Sequence, residues 1–185
     1  MSYEHVTLCF SLPRSRSQWL VWLYGHGCQS WHDPLKHCES PLDLKTRIDA
    51  RGNKDRLFIA DTSALLFHTA LTASLPGARR LYVMRPWNEV LASIDAQAPR
   101  DSVLTTLLSR MYQRVRAQGP LCPRGDWTTY ADLDDAAHRW WPDITGRPAL
   151  GAGFYASRCA IRIDTPLREQ ESYPYKTRRL LEHME

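Results

Sequence analysis

The chain has 185 residues, 43% of them hydrophobic, with a formal charge of +4 and a sequence pI of about 8.9. That is enough for one domain with a real core, and the mild basic excess suits a small polyanion, so no nucleic-acid polymer is expected as partner. No window approaches the ~18 to 20 apolar residues needed to cross a bilayer, and the five cysteines, Cys9, Cys28, Cys38, Cys122 and Cys159, are odd in number, widely spaced and not preceded by a signal peptide; a reduced cytoplasmic setting without membrane association is expected.

His5 to Phe10 reads as a first strand and Ser17 to Gly27 as a helix, with Trp19, Leu20, Trp22, Leu23 and Tyr24 on its apolar face. Between them runs LPRSRSQWL, Leu12 to Leu20. A strand feeding a tight turn into a helix start is an anion site: the turn exposes backbone N–H groups, the helix dipole adds partial positive charge, and Arg14 and Arg16 supply guanidinium groups suited to phosphate or sulfate oxygens. Gln29 to Lys54 carries no assignable pattern. Arg56 to Thr62 reads as a second strand, followed by a helix over Ser63 to Ser74 that stops before Pro76 and Gly77. Arg79 to Arg85 is a third strand whose apolar centre suggests burial on both faces. Helices are expected from about Asn88 to Ala96 and from about Arg100 to Gln118, the second ending at Gly119 and Pro120. DWTTYADL, Asp126 to Leu133, holds a last strand, and a helix begins near Asp134. The tail after Gly151 has no clear pattern, and its basic cluster, Lys176 to Arg179, reads as a solvated helix end. There is no internal repeat. The alternation of strands and helices points to an α/β sheet in a single domain over 1–185.

Three segments together carry a family resemblance. LPRSRSQWL resembles the phosphosulfate-binding loop of sulfotransferases, with Arg14 where the family has Lys or Arg and Arg16 where it has Gly. SLPGARRLYVMRPWNEVLAS is similar to the second signature, a strand ending in Arg followed by Pro and a downstream Ser, here Arg85 and Ser93. TTYADLDDAAHRWWPDITG is similar to the Tyr-Glu-Asp-Leu stretch and the helix after it. Order and spacing agree from Val6 to Gly146, and the substituted loop glycine also resembles small sulfotransferase-like proteins of bacteriophages, which would place the protein in a host cytoplasm.

The resemblance implies a three-layer α/β/α domain with a mainly parallel central sheet, the P-loop-like nucleotide-binding fold of sulfotransferases. It implies 3′-phosphoadenosine 5′-phosphosulfate (PAPS) as donor, 3′-phosphoadenosine 5′-phosphate (PAP) as product, and no metal. The phosphosulfate would lie on the amides of Ser15, Arg16, Ser17 and Gln18, with the Ser17 hydroxyl as a further donor. Arg14 would neutralise charge on the bridging oxygen as the S–O bond breaks. Arg85 and Ser93 would hold the 3′-phosphate, and Trp19 matches a position that stacks on adenine, although core packing at helical spacing is the competing reading. The loop and Arg85 both fall at carboxyl ends of strands, where open α/β sheets bind ligands.

For the base that activates the acceptor, Asp33 beside Pro34 matches an acidic position in several branches, with His32 as its rival; His68 lies near where other branches place a His, with Ser63 at the aligned position. His26, Cys28, His32, His37 and Cys38 invite a zinc reading but lack a paired ligand spacing. The loop has no Gly-Lys-Ser/Thr ending, so a nucleotide kinase fits less well. The sequence therefore reads as a sulfotransferase acting on a hydroxyl or amine of a small-molecule or protein-surface acceptor. The alternative is a non-catalytic nucleotide-binding or interaction protein that has kept the fold.

Overall fold

The computed structural model describes residues 2–52, 54–96, 100–121 and 125–149. In chain order these form β1 (Val6–Ser11), α1 (Ser17–Tyr24), β2 (Gln29–His32), a 3-10 turn (Pro34–His37), α2 (Pro41–Ala50), β3 (Leu57–Ala60), α3 (His68–Ser74), β4 (Arg79–Met84), α4 (Trp87–Asp95), α5 (Ser102–Gln118), a second 3-10 turn (Gly119–Leu121), β5 (Gly125–Thr129) and α6 (Leu133–Thr145). The five strands make one sheet in the order β2-β3-β1-β4-β5, parallel at every pairing.

Strand β1 lies at the centre, with Cys9 opposite Ala60 of β3 and Leu81 of β4. Because side chains alternate along a strand, neighbouring residues of β1 feed two different cores. Leu8 and Phe10 join Ile59 and Tyr82 under Leu44, Ile48, Leu71, Val90, Leu107, Met111 and Val115, from α2 to α5. Cys9 joins Phe58, Leu81 and Val83 under Trp19, Leu20 and Leu23 of α1 and Leu133, Ala137, Trp141 and Ile144 of α6. Tyr24 stacks on Phe58 with 3.8 Å between ring centroids. Helices thus cover both faces, which explains why the strands are continuous apolar runs rather than alternating ones.

The chain crosses one face from β1 to β2 and the other face on every later step up to β5. The crevice at the carboxyl end of β1 therefore sits where crossover direction reverses. No described helix is long and apolar enough to cross a membrane.

Four sequence expectations need adjustment. Helix α1 stops at Tyr24, not Gly27, because the turn must pass close to α6: a Cβ on Gly27 would lie 1.7 Å from the Ile144 carbonyl oxygen. The helix expected from Ser63 starts only at His68. Before it the chain makes tight turns, Ala64 N–H to Asp61 C=O, Leu66 to Ser63 and Phe67 to Ala64, opened by the Asp61 carboxylate accepting from the Ser63 amide. Strand β3 is shorter than expected, Leu57–Ala60. The unassigned stretch after Cys28 holds β2 and α2, the latter opened by a capping box in which Ser40 and Asp43 bond each other's amides. Cys122, Cys159 and the Lys176 to Arg179 cluster lie outside the described residues.

Candidate functional site

The loop joining β1 to α1 carries two residues in the left-handed region, Arg14 (φ 66°) and Arg16 (φ 61°), on either side of Ser15. Left-handed backbone costs an L-residue roughly 1 to 2 kcal/mol. The position where the resemblance has glycine therefore has a glycine-type conformation, occupied here by an arginine. Its side chain turns toward α6: Arg16 Nη1 lies 3.1 Å from Asp134 Oδ1, and the guanidinium carbon sits 4.7 Å from the Tyr130 ring centroid. Ser15 is fully buried, and its hydroxyl has no hydrogen-bond partner among the described residues. No side chain caps α1, and its first turn has no acidic residue. A buried orphan hydroxyl beside an uncapped helix start is a donor set for an anion.

Three predicted residues converge beside this loop. Arg14 Nε donates to Ser93 Oγ of α4 at 3.3 Å, and the Arg85 guanidinium donates to the Arg14 carbonyl. Arg85, just past β4, also faces Glu89 Oε2 at 3.3 Å and lies 4.3 Å from the Tyr130 ring centroid. Tyr130 thus receives a guanidinium from each of the two signatures, an arrangement of cations on an aromatic ring worth roughly 0.5 to 2 kcal/mol apiece. Gln18 is exposed on the first turn of α1, while Trp19 is 8% exposed and packed in the core beneath α1 and α6.

On the other side of the loop runs a line of polar side chains. Ser17 Oγ lies 3.1 Å from His32 Nε2 at the end of β2, and His32 Nδ1 lies 3.3 Å from Asp33 Oδ2. The second Asp33 oxygen accepts from the Thr62 amide at 3.0 Å and from the Thr62 hydroxyl at 3.3 Å. Asp33 is itself left-handed (φ 48°), and its amide donates to the Ala60 carbonyl. A carboxylate 3.3 Å from Nδ1 favours the tautomer protonated there, in which Nε2 accepts from Ser17. Burial holds the His32 pKa below its ordinary value, against the opposing pull of Asp33 and with help from Lys36, so the ring is kept neutral.

Next to Asp33, the Asp61 carboxyl is 1% exposed and accepts from the amides of Leu35 and Ser63, each at 2.7 Å. Burial, then the charge of Asp33, raise it to about 7, against those two hydrogen bonds. His68 is buried on the opposite face of the sheet, bonded to the Tyr82 hydroxyl at 2.7 Å and packed 4.8 Å from the Phe10 ring. It is a packing residue there. Of the metal-type residues, Cys28 and Cys38 donate to the Tyr24 and Pro34 carbonyls, and His26 packs edge-on against Trp22. Among the described residues no three such side chains are grouped to hold a metal ion. A shallow depression of about 660 Å³ lined by Arg51, Lys54 and Arg56 lies by the amino ends of β2 and β3, away from the loop.

Sequence reasoning gave no role to Tyr130, Asp134, Glu89, Thr62 or Asp61. Tyr130 had a signal, since it lies in the third segment of the resemblance, and Glu89 had one in its i,i+4 spacing to Arg85, while Asp134, Thr62 and Asp61 depend on which elements become neighbours. No protein-family model matches the chain, and no curated protein matches it.

Proposed function

We propose that the protein is a sulfotransferase of P-loop-like fold that takes PAPS as donor and acts on a hydroxyl or amine of an acceptor. The observation that carries the reading is the meeting of Arg14, Arg85 and Ser93, residues singled out by two separate sequence signatures, at the carboxyl edge of β1 and β4. Two cations and a hydroxyl gathered at a crossover reversal suit a ligand with more than one anionic group.

The residues present fit the donor. Ser15 Oγ, the amides that open α1 and the Ser17 hydroxyl would hold the phosphosulfate end, and Arg85 with Ser93 the 3′-phosphate. When bound, the donor supplies an activated sulfuryl group on a phosphate leaving group. Arg14 would balance the charge that grows on the bridging oxygen, an effect worth ~3 kcal/mol for one well-placed donor. The acceptor's proton goes to His32 Nε2. Asp33, whose two oxygens are taken up by Thr62 and His32, orients that ring and stabilises it once charged, so the geometry favours His32 over Asp33 as the base.

Calorimetry tests the donor claim. PAP is expected to bind at micromolar affinity or better and ATP much more weakly; no binding, or equal binding of the two, overturns it. Incubation with sulfur-labelled PAPS and a cell extract then separates a transferase, which moves label to an acceptor, from a nucleotide-binding protein, which does not.

A further inference from the structure

Ser17, His32 and Asp33 are arranged as nucleophile, base and orienting carboxylate, and we propose that they form a hydrolytic device acting on small carboxylic esters. The inference does not require the donor reading, but it uses the same Ser17, His32 and loop amides, so ester and donor would compete for one place. Four features carry it. Ser17 sits on a strand-turn-helix elbow behind a left-handed residue, the setting that presents a nucleophilic serine at the carboxyl edge of a sheet. Its hydroxyl is within hydrogen-bond reach of His32 Nε2, and Asp33 faces Nδ1. Asp33 is in turn anchored by the Thr62 amide and hydroxyl. The amide of Gln18, the residue after the nucleophile, is in a first helical turn that no side chain caps, so it can donate to an oxyanion.

The step balances as follows. Ser17 Oγ bonds to the ester carbonyl carbon while its proton passes to His32 Nε2 and the carbonyl electron pair moves onto oxygen, held by the Gln18 amide. Collapse breaks the bond to the alcohol, which leaves with the proton from His32. Water, deprotonated by His32, then frees the acid and restores Ser17. Ser17 is only 7% exposed, so the acyl group must be small.

The test uses the full chain with a biotinylated fluorophosphonate and with p-nitrophenyl acetate. One adduct is expected, mapped to Ser17 by peptide mass spectrometry and absent from Ser17→Ala, together with slow ester turnover. His32→Gln should slow labelling by ~100-fold or more. Asp33→Asn should lower the maximal labelling rate without changing the probe concentration that half-saturates it, a split that a merely structural role would not give. As a second route, Ser17→Cys should be alkylated by iodoacetamide faster with His32 present than in the double variant carrying His32→Gln. No adduct on Ser17, or labelling equally fast without His32, overturns the proposal. PAP binding is read separately by calorimetry, so either result can fail alone.

Discussion

Arg14 and Ser93 lie 79 positions apart in sequence and meet through a 3.3 Å hydrogen bond from Nε to Oγ. Arg85 closes the group by donating to the Arg14 carbonyl, so a change at any of the three alters the setting of the other two. Hydrogen bonds to charged groups are worth ~1.5 to 3 kcal/mol. Arg85→Ala should therefore weaken PAP binding by ~10- to 100-fold. Calorimetry showing unchanged affinity would remove Arg85 from the site.

Glu89 competes with an anion for Arg85, at 3.3 Å and about half exposed. Glu89→Gln is expected to tighten PAP binding several-fold, most visibly at low salt, where surface charge is least screened. Weaker binding in that variant would mean that Glu89 orients Arg85 rather than competing for it.

The His32 and Asp33 pair separates base from positioner. His32→Gln should abolish sulfuryl transfer, and Asp33→Asn should reduce it by roughly 100-fold, both with PAP affinity intact. Full turnover in His32→Gln would return the role to Asp33. Steady-state rates with saturating donor make the comparison.

Arg16 combines an unfavourable backbone conformation with favourable side-chain contacts. Arg16→Gly relieves the first and loses the second, whereas Arg16→Ala keeps the strain and loses the contacts to Asp134 and Tyr130. Thermal melting should place the Gly variant above the Ala variant by about 1 kcal/mol. The reverse order would show that position 16 is not held left-handed.

Two buried groups give opposing pH dependences of stability. Asp61, raised to about 7, holds its proton more tightly folded than unfolded, so its contribution is full below pH 3.8 and lost as pH rises to about 7. His68 is lowered to about 4 by burial and by Arg114 and Arg80, so its contribution is full above pH 6.5 and lost as pH falls to about 4. Each is worth a few kcal/mol, on the order of 1.4 per unit. Urea unfolding compares each variant with the parent between about pH 4 and 6.5. Over the same range Asp61→Asn should gain stability as pH rises, and His68→Gln should lose it. Parallel curves for all three would rule out this pairing.

Strands β1 and β4 and helix α1 were legible because apolar runs and helical spacing mark elements buried in a parallel sheet. Strand β2 was not, since Gln29, Ser30, Trp31 and His32 form a half-buried edge strand without an apolar run. Helix α2 did have a sequence signature, Ser40 followed by Pro41 and Asp43, whose capping role emerges only once the helix is seen. In the candidate site, the motifs singled out Arg14, Arg85 and Ser93, which the fold brings into contact. The Ser17 to Asp33 chain could not, because it exists only when β2 takes its place beside β3 and brings His32 level with the start of α1.

The placement of β1 has a consequence for synthesis. Strand β1 leaves the ribosome before its neighbours β3 and β4, and its loop is moored by Arg16 to Asp134. Strand β1 and its loop therefore wait for most of the described chain before they can take their final shape, and until then β1 offers two unpaired edges and two apolar faces. The loop between β1 and α1 is completed only when α6 arrives, so nascent chains arrested before α6 should be found associated with chaperones.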